Sequence, residues 1–261
     1  MIIVFDVGNT ETTVGLFAGT TLRGHWRLTT HIERTPDEFG LLLRPLLGSV
    51  EIDRTEVRGA AIGSVVPPIT QQLVGACERW LGVAPLVVDA RSPLPIRIDI
   101  EEPLSVGADR IVNTLAASRL FASDAIVVDL GTATTYDCIT ADGVFIGGVI
   151  APGVRTSAET LFRRTSKLPA TELKAPARVI GKRTEEAIRS GVMFGAAEEI
   201  CGLVRRVKRE WPTPRTPIVI ATGGLAELFQ PLCDEFDRVE PHLTLCGLEM
   251  AYRLLRPDDP A

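Results

Sequence analysis

The stretches IIVFDVGNTETT, Ile2 to Thr13, and AIVVDLGTATTYD, Ala125 to Asp137, are two copies of one pattern. In each, a β-branched apolar run ends in an aspartate, an aliphatic residue and a glycine, and small hydroxyl or amide residues follow. That order predicts strand, tight turn, strand. The glycine lets backbone N–H groups approach an anion closely and the threonines add hydroxyl donors, so each copy suits one part of a polyphosphate. Asp6 and Asp129 would repel phosphate unless a cation sits between, which points to a metal-bridged triphosphate. A single hairpin of this kind is more often an ordinary turn. Two in-register copies with matching flanks, one per half of the chain, point to a nucleotide clamped between duplicated domains.

Outward from these hairpins, the first half predicts strands near Ile2 to Phe5, Thr12 to Phe17 and Leu22 to Thr29, then a helix from about Thr35 to Leu47. Thr35, Pro36 and Glu38 supply a cap, a rigid first position and an early acid. A strand at Arg58 to Ser64 and a helix at Ile69 to Leu81 follow. The second half repeats the order, with strands near Ile126 to Asp129, Thr135 to Thr140 and Val144 to Ile150, then a helix beyond Pro152. A long helical region from about Thr184 to Glu210 precedes the strand Pro217 to Ala221, and a helix from about Gly247 to Leu255 comes last. A helix from Ser105 to Phe121 links the halves. The expected division is 1–115, with the first phosphate loop and a substrate loop, and 116–261, with the second phosphate loop and an adenosine loop.

Composition bounds the function class. With 45% hydrophobic and 23% charged residues in 261, and no apolar run near the ~20 residues of a membrane helix, a soluble globular protein is expected, and the order of strands and helices above makes it α/β. No basic n-region precedes Asp6, so the cytoplasm is the expected compartment. Five scattered cysteines without C-x-x-C spacing fit reduced, mostly buried thiols, and three dispersed histidines predict no structural zinc. A net charge of −5 argues against nucleic acid as the main partner, and Arg205, Arg206, Lys208 and Arg209 read as a solvated helix face.

Neither common phosphate fingerprint is present: Gly181-Lys182 is followed by Arg183 and lacks the earlier glycine, and no G-x-G-x-x-G opens a helix. Thr222-Gly223-Gly224, after a buried strand, is the natural place for base and ribose, though alone such a glycine pair is usually a turn. Asp109 and Arg110 open the central helix. A carboxylate there can accept a proton from an attacking hydroxyl, and an arginine can hold a carboxylate or phosphate by a bidentate fork. The competing reading is a charge-compensated first helical turn, and spacing leaves the two open.

Together these motifs resemble the type III pantothenate kinases, of the acetate kinase, sugar kinase, heat-shock chaperone and actin superfamily. The likeness is carried by DVGNT at Asp6 to Thr10, GADR at Gly107 to Arg110 followed by IVN, and DLGTATT at Asp129 to Thr135. It continues through GGVIAPG at Gly147 to Gly153, TEEAIRSG at Thr184 to Gly191, ATGG at Ala221 to Gly224 and HLTLCGL at His242 to Leu248. The resemblance implies duplicated ribonuclease H-like, actin-like domains, each a mixed central sheet with flanking helices, and a nucleotide in the cleft between them. It implies phosphoryl transfer from Mg-ATP to pantothenate, the first step of coenzyme A synthesis.

By the same resemblance, Asp6, Val7, Gly8, Asn9, Thr10, Glu11, Thr12 and Thr13 form the first ATP loop, with Asp6 toward magnesium. Asp129 matches the ligand of a monovalent cation, potassium or ammonium; Thr132, Gly223 and Gly224 match ATP contacts. Gly107, Ala108, Asp109 and Arg110 match the pantothenate loop, with Asp109 as general base and Arg110 toward the pantothenate carboxylate. Thr184 matches a pantothenate contact supplied across a homodimer interface. Two positions depart from the pattern: Ile100 stands where a tyrosine is common and is left to wall the pocket, and Arg183 stands where an asparagine commonly precedes Thr184. The main rival is a non-catalytic, nucleotide-binding accessory factor in transcriptional regulation from the same family; intact Asp6, Asp109 and Asp129 favour the enzyme. A polyphosphatase or an actin-like filament subunit would lack GADR.

Overall fold

A computed structural model of the chain describes residues 1–31 and 33–258. Its described residues divide into two compact units, one formed by those of 1–120 with 243–258 and the other by residues 121–242.

The first unit opens with the hairpin β1 (Ile2–Val7) and β2 (Glu11–Ala18), followed by β3 (Thr21–Thr29) and α1 (Pro36–Gly48). The run IIVFDV is almost wholly buried because β1 has a strand on each side: antiparallel β2 and parallel β4 (Gly59–Ser64). β3, with one neighbour, alternates exposed and half-buried side chains. Helix α1 starts where its cap chemistry places it. The Thr35 hydroxyl accepts from the Glu38 N–H, and the Glu38 carboxylate accepts from the Thr35 N–H at 2.7 Å.

Helix α2 (Pro67–Ala76) runs on as a wider turn to Leu81, and the short strand β5 (Leu86–Val88) completes the sheet order β3-β2-β1-β4-β5. After the two-residue strand β6 (Arg97–Ile98) and a tight turn at Pro103–Ser105 comes α3 (Ala108–Phe121). The core joins Phe5, Val14 and Leu16 of the sheet to Phe39, Leu43 and Leu73 of the helices.

The second unit repeats this build. β7 (Ala125–Leu130), β8 (Ala133–Ile139) and β9 (Val144–Pro152) form the meander, then α4 (Val154–Arg163) and α5 (Thr184–Arg209) precede β10 (Ile218–Thr222). The short α6 (Ala226–Phe229) leads to β11 (Arg238–Val239), and the strands lie in the order β11-β10-β7-β8-β9. Counted from the start of each unit, both sheets have the order third, second, first, fourth, fifth. Both hairpins set the aspartate opposite a threonine, Asp6 with Thr13 and Asp129 with Thr135, and the first loop is one residue longer than the second. This is the duplicated ribonuclease H-like, actin-like fold. The basic run on α5 is not purely a solvated face, since Lys208 Nζ lies 2.8 Å and Arg205 3.6 Å from the Glu235 carboxylate.

The last helix, α7 (Leu243–Leu255), belongs to the first unit and packs on β1 and β4. Its Leu243, Leu245, Leu248, Ala251 and Tyr252 are buried, and the Tyr252 ring fills the space above Gly59. The units therefore differ from the expected division: residue 115 falls within α3, and the chain returns to its first unit at the end. Burying α7's apolar stripe decides its placement, and sequence position does not reveal which sheet receives it.

Candidate active site

In the first unit, Asp6 lies one residue before the end of β1, with Thr13 of β2 and Gly63 of β4 as its strand neighbours. The turn closes through the Gly8 N–H donating to Glu11 O at 3.0 Å. Asn9, Thr10 and Glu11 form its exposed tip, whereas Val7 and Thr12 are buried in the sheet. Thr30, just past β3, pins this loop: its hydroxyl donates to Gly8 O at 2.8 Å and lies 2.9 Å from the Thr12 hydroxyl, and its N–H donates to Thr10 O at 2.9 Å. Sequence reasoning missed Thr30, whose only signal is a hydroxyl residue at the end of an alternating strand.

The Gly107–Arg110 segment lies against the carboxyl end of β4. An ideal Cβ on Gly63 would stand 2.9 Å from Leu248 Cδ2 and 3.6 Å from Ala108 Cβ, so the start of α3 sits over the strand position that pairs with Asp6. The half-buried Asp109 side chain folds back: its Oδ1 accepts from the Arg110 N–H at 2.9 Å and would lie 2.4 Å from a Cβ on Gly107. Only glycine leaves that room. Asp6 and Asp109 thus come from adjacent elements at one end of one sheet, beyond the carboxyl ends of parallel strands, where open α/β sheets bind ligands. Ile100 is half-buried in the bend between β6 and the turn at Pro103.

In the second unit, Asp129 lies one residue before the end of β7 and has Thr135 and Thr222 as strand neighbours. Gly223 follows with φ of +87°, and a Cβ there would stand 2.3 Å from Asp129 Oδ1 and 2.8 Å from the Leu130 nitrogen. The Asp129 loop and the Thr222–Gly224 loop therefore touch. The turn closes by the Gly131 N–H donating to Ala133 O at 3.0 Å and is braced from α4, where the Thr156 hydroxyl donates to Thr132 O at 2.7 Å. Thr132 and Gly224 are exposed. The helix after Gly224 is short: α6 is one turn.

Thr184, exposed, is the first residue of α5. Arg183 turns to Glu186 at 3.2 Å, and Glu186 in turn accepts from the Lys182 N–H at 2.9 Å; that backbone bond, with the arginine, holds its carboxyl below the usual range. Arg183, the N-cap residue, makes no side-chain cap bond to the helix backbone and pairs with Glu186 instead. Thr184 also lines a cavity of about 690 Å³ with Tyr136, Leu161, Ile188, Val192 and Glu199. At its floor Tyr136 is fully buried, its hydroxyl has no partner among the described residues, and burial raises its pKa.

The family described as type III pantothenate kinase matches residues 2–206. A type III pantothenate kinase of Thermomicrobium roseum is 46% identical over 252 residues, 97% of this chain and 96% of the relative. Among solved structures, a conserved Campylobacter jejuni protein assigned to the Baf family of transcriptional activators superposes with a TM-score of 0.60 at 18% identity, covering 98% of this chain and 99% of that one. The activator of 2-hydroxyisocaproyl-CoA dehydratase from Clostridium difficile, with ADPNP bound, gives 0.58 at 10% identity, covering 98% and 94%. These two likenesses concern the fold.

Proposed function

The chain belongs to the type III pantothenate kinase family, a family of enzymes that phosphorylate pantothenate for coenzyme A synthesis, and on that premise we propose how its residues divide the work. Asp109 takes the proton from the primary hydroxyl of pantothenate as that oxygen attacks the γ-phosphorus of ATP, giving 4'-phosphopantothenate and ADP. The observation that carries this reading is the convergence of Asp109 and Asp6 at one end of the first sheet, through Ala108 over Gly63. Phosphoryl transfer needs positioning and charge neutralisation more than covalent help, so a base beside a phosphate loop suffices.

The loop Asp6 to Thr13 holds phosphate through backbone amides, with Asn9, Thr10 and Glu11 exposed at its tip toward ATP. In the second unit Thr132 contacts phosphate and Gly223 and Gly224 admit the adenosine. Gly107, Ala108 and Arg110 hold pantothenate, with Arg110 on its carboxylate and Ile100 as an apolar wall in place of a hydroxyl donor.

The residues fit the cations the family implies. Asp129 Oδ1 lies against the bare backbone of Gly223, 2.3 Å from where a Cβ would stand, and a carboxylate oxygen is the kind of donor a hard cation takes. Asp129 would hold potassium or ammonium and Asp6 would hold magnesium with ATP. When bound, these ions neutralise charge on the phosphates.

Thr184 acts in a homodimer, contacting the pantothenate of the partner. Support comes from the apolar side chains the second unit leaves bare: Ile150, Phe162, Val179 and Ile180 are between 46% and 84% exposed. Purified protein with Mg-ATP, pantothenate and potassium should form 4'-phosphopantothenate, followed by mass spectrometry. Nucleotide binding without that product would hand the assignment to the accessory-factor reading. Activity indifferent to sodium in place of potassium would remove the selective cation from Asp129.

A further inference from the structure

The segment Leu243 to Leu248 opens α7 and has no part in the chemistry above. We propose that Thr244 and Gly247 of α7, with Asn113 of α3, are positioning residues that fix where Asp109 stands. The proposal rests on Asp109 being the base.

Two contacts tie α7 to α3. The Thr244 hydroxyl donates to Asn113 Oδ1 at 2.9 Å, with both side chains buried at 7% and 1% exposure. At Gly247 the two helix backbones meet: a Cβ there would stand 2.2 Å from Val112 O. Val112 and Asn113 lie three and four residues beyond Asp109, one turn along the same helix. A third contact lies at the start of α3, where Leu248 shares the space over Gly63 with Ala108. One stretch of α7 therefore touches α3 on the residue before Asp109 and on the turn after it.

Stability does not require this polar pair. Asn113 Nδ2 has no partner among the described residues, and a buried amide with an unmade bond costs more than an apolar residue of the same shape. What the pair supplies is register. An apolar contact tolerates sliding of one helix along another, whereas a buried hydroxyl–amide bond has one favourable distance, and Asp109 moves with the helix that carries it. A displacement of about 1 Å in a reacting group can cost about 10²-fold in rate.

Thr244→Val keeps the shape and removes the bond. We expect kcat to fall by about 10-fold to 10²-fold with the KM for ATP within about 2-fold, and Thr244→Ser to restore kcat to within about 3-fold of the parent. The proposal is overturned if Thr244→Val keeps the parental kcat, if its loss lies in the KM for ATP, or if serine fails to rescue it. Should Thr244→Val not fold, Thr244→Ala is read by the same criteria; if neither folds, Thr244 is structural and the proposal fails. Asp109→Asn run in parallel separates the two ideas. An inactive Asp109→Asn beside an unaffected Thr244→Val rejects the positioning role alone, whereas an active Asp109→Asn rejects the base itself.

Discussion

Gly223 shows how one missing side chain organises the second half-site. Its backbone has φ of +87°, and the space a Cβ would occupy belongs to Asp129 Oδ1, 2.3 Å away. Gly223→Ala should therefore cost about 1–3 kcal/mol in stability and weaken ATP binding, measured by thermal melting and nucleotide titration. A variant as stable and as tight as the parent would dissolve the link between the two loops. Thiol chemistry offers a second test. Burial pushes Cys77 and Cys233 up to about 12, so neither should react with iodoacetamide in the native protein at pH 8; rapid labelling of either would contradict their packing. At this scale Asp6, Asp109 and Asp129 stand out in the sequence because each sits two residues from a glycine. Thr30 and Thr156 do not, because the loops they brace lie 22 and 24 residues away in the chain.

Elements were legible where local chemistry marks them. Thr35, Pro36 and Glu38 announced α1, and the structure has a reciprocal capping box there. Thr35→Ala should lower stability by about 1 kcal/mol, seen as a lower urea midpoint with an unchanged slope. No change in midpoint would mean that tertiary packing alone holds the α1 start. The short strands β5 and β11 escaped notice because three and two residues carry no period, and their pairing to β4 and β10 comes from the sheet. Helix α7 begins at Leu243, earlier than the expected Gly247, because its first turn is ordered by burial of Leu243 and Leu245.

Over the whole molecule, each unit is held by contacts distant in sequence. In the second, Asp124, 2% exposed, accepts from the Ala141 N–H at 2.9 Å, Trp211 Nε1 at 2.9 Å and the Thr213 hydroxyl at 2.7 Å. Burial alone would raise its pKa, but these three donors outweigh burial and lower it. A depressed folded-state pKa adds stability that is complete above the unfolded value of about 3.9 and is lost as pH falls through the folded one. Acid unfolding, followed by Trp211 fluorescence, should flatten below pH 4 in Asp124→Asn. Asp124→Ala should cost about 3 kcal/mol at neutral pH by leaving buried donors unmet; stability equal to the parent would show that water replaces the carboxylate. The twin hairpins made the duplication legible, whereas the return of α7 to the first sheet was hidden, because an apolar stripe does not name its partner. The central claim is that Asp109 is the base of a pantothenate kinase, and the rate of 4'-phosphopantothenate formation by Asp109→Asn tests it most directly. A fall of about 10²-fold to 10⁴-fold with ATP binding retained is the predicted result, and a rate within a few-fold of the parent would contradict it.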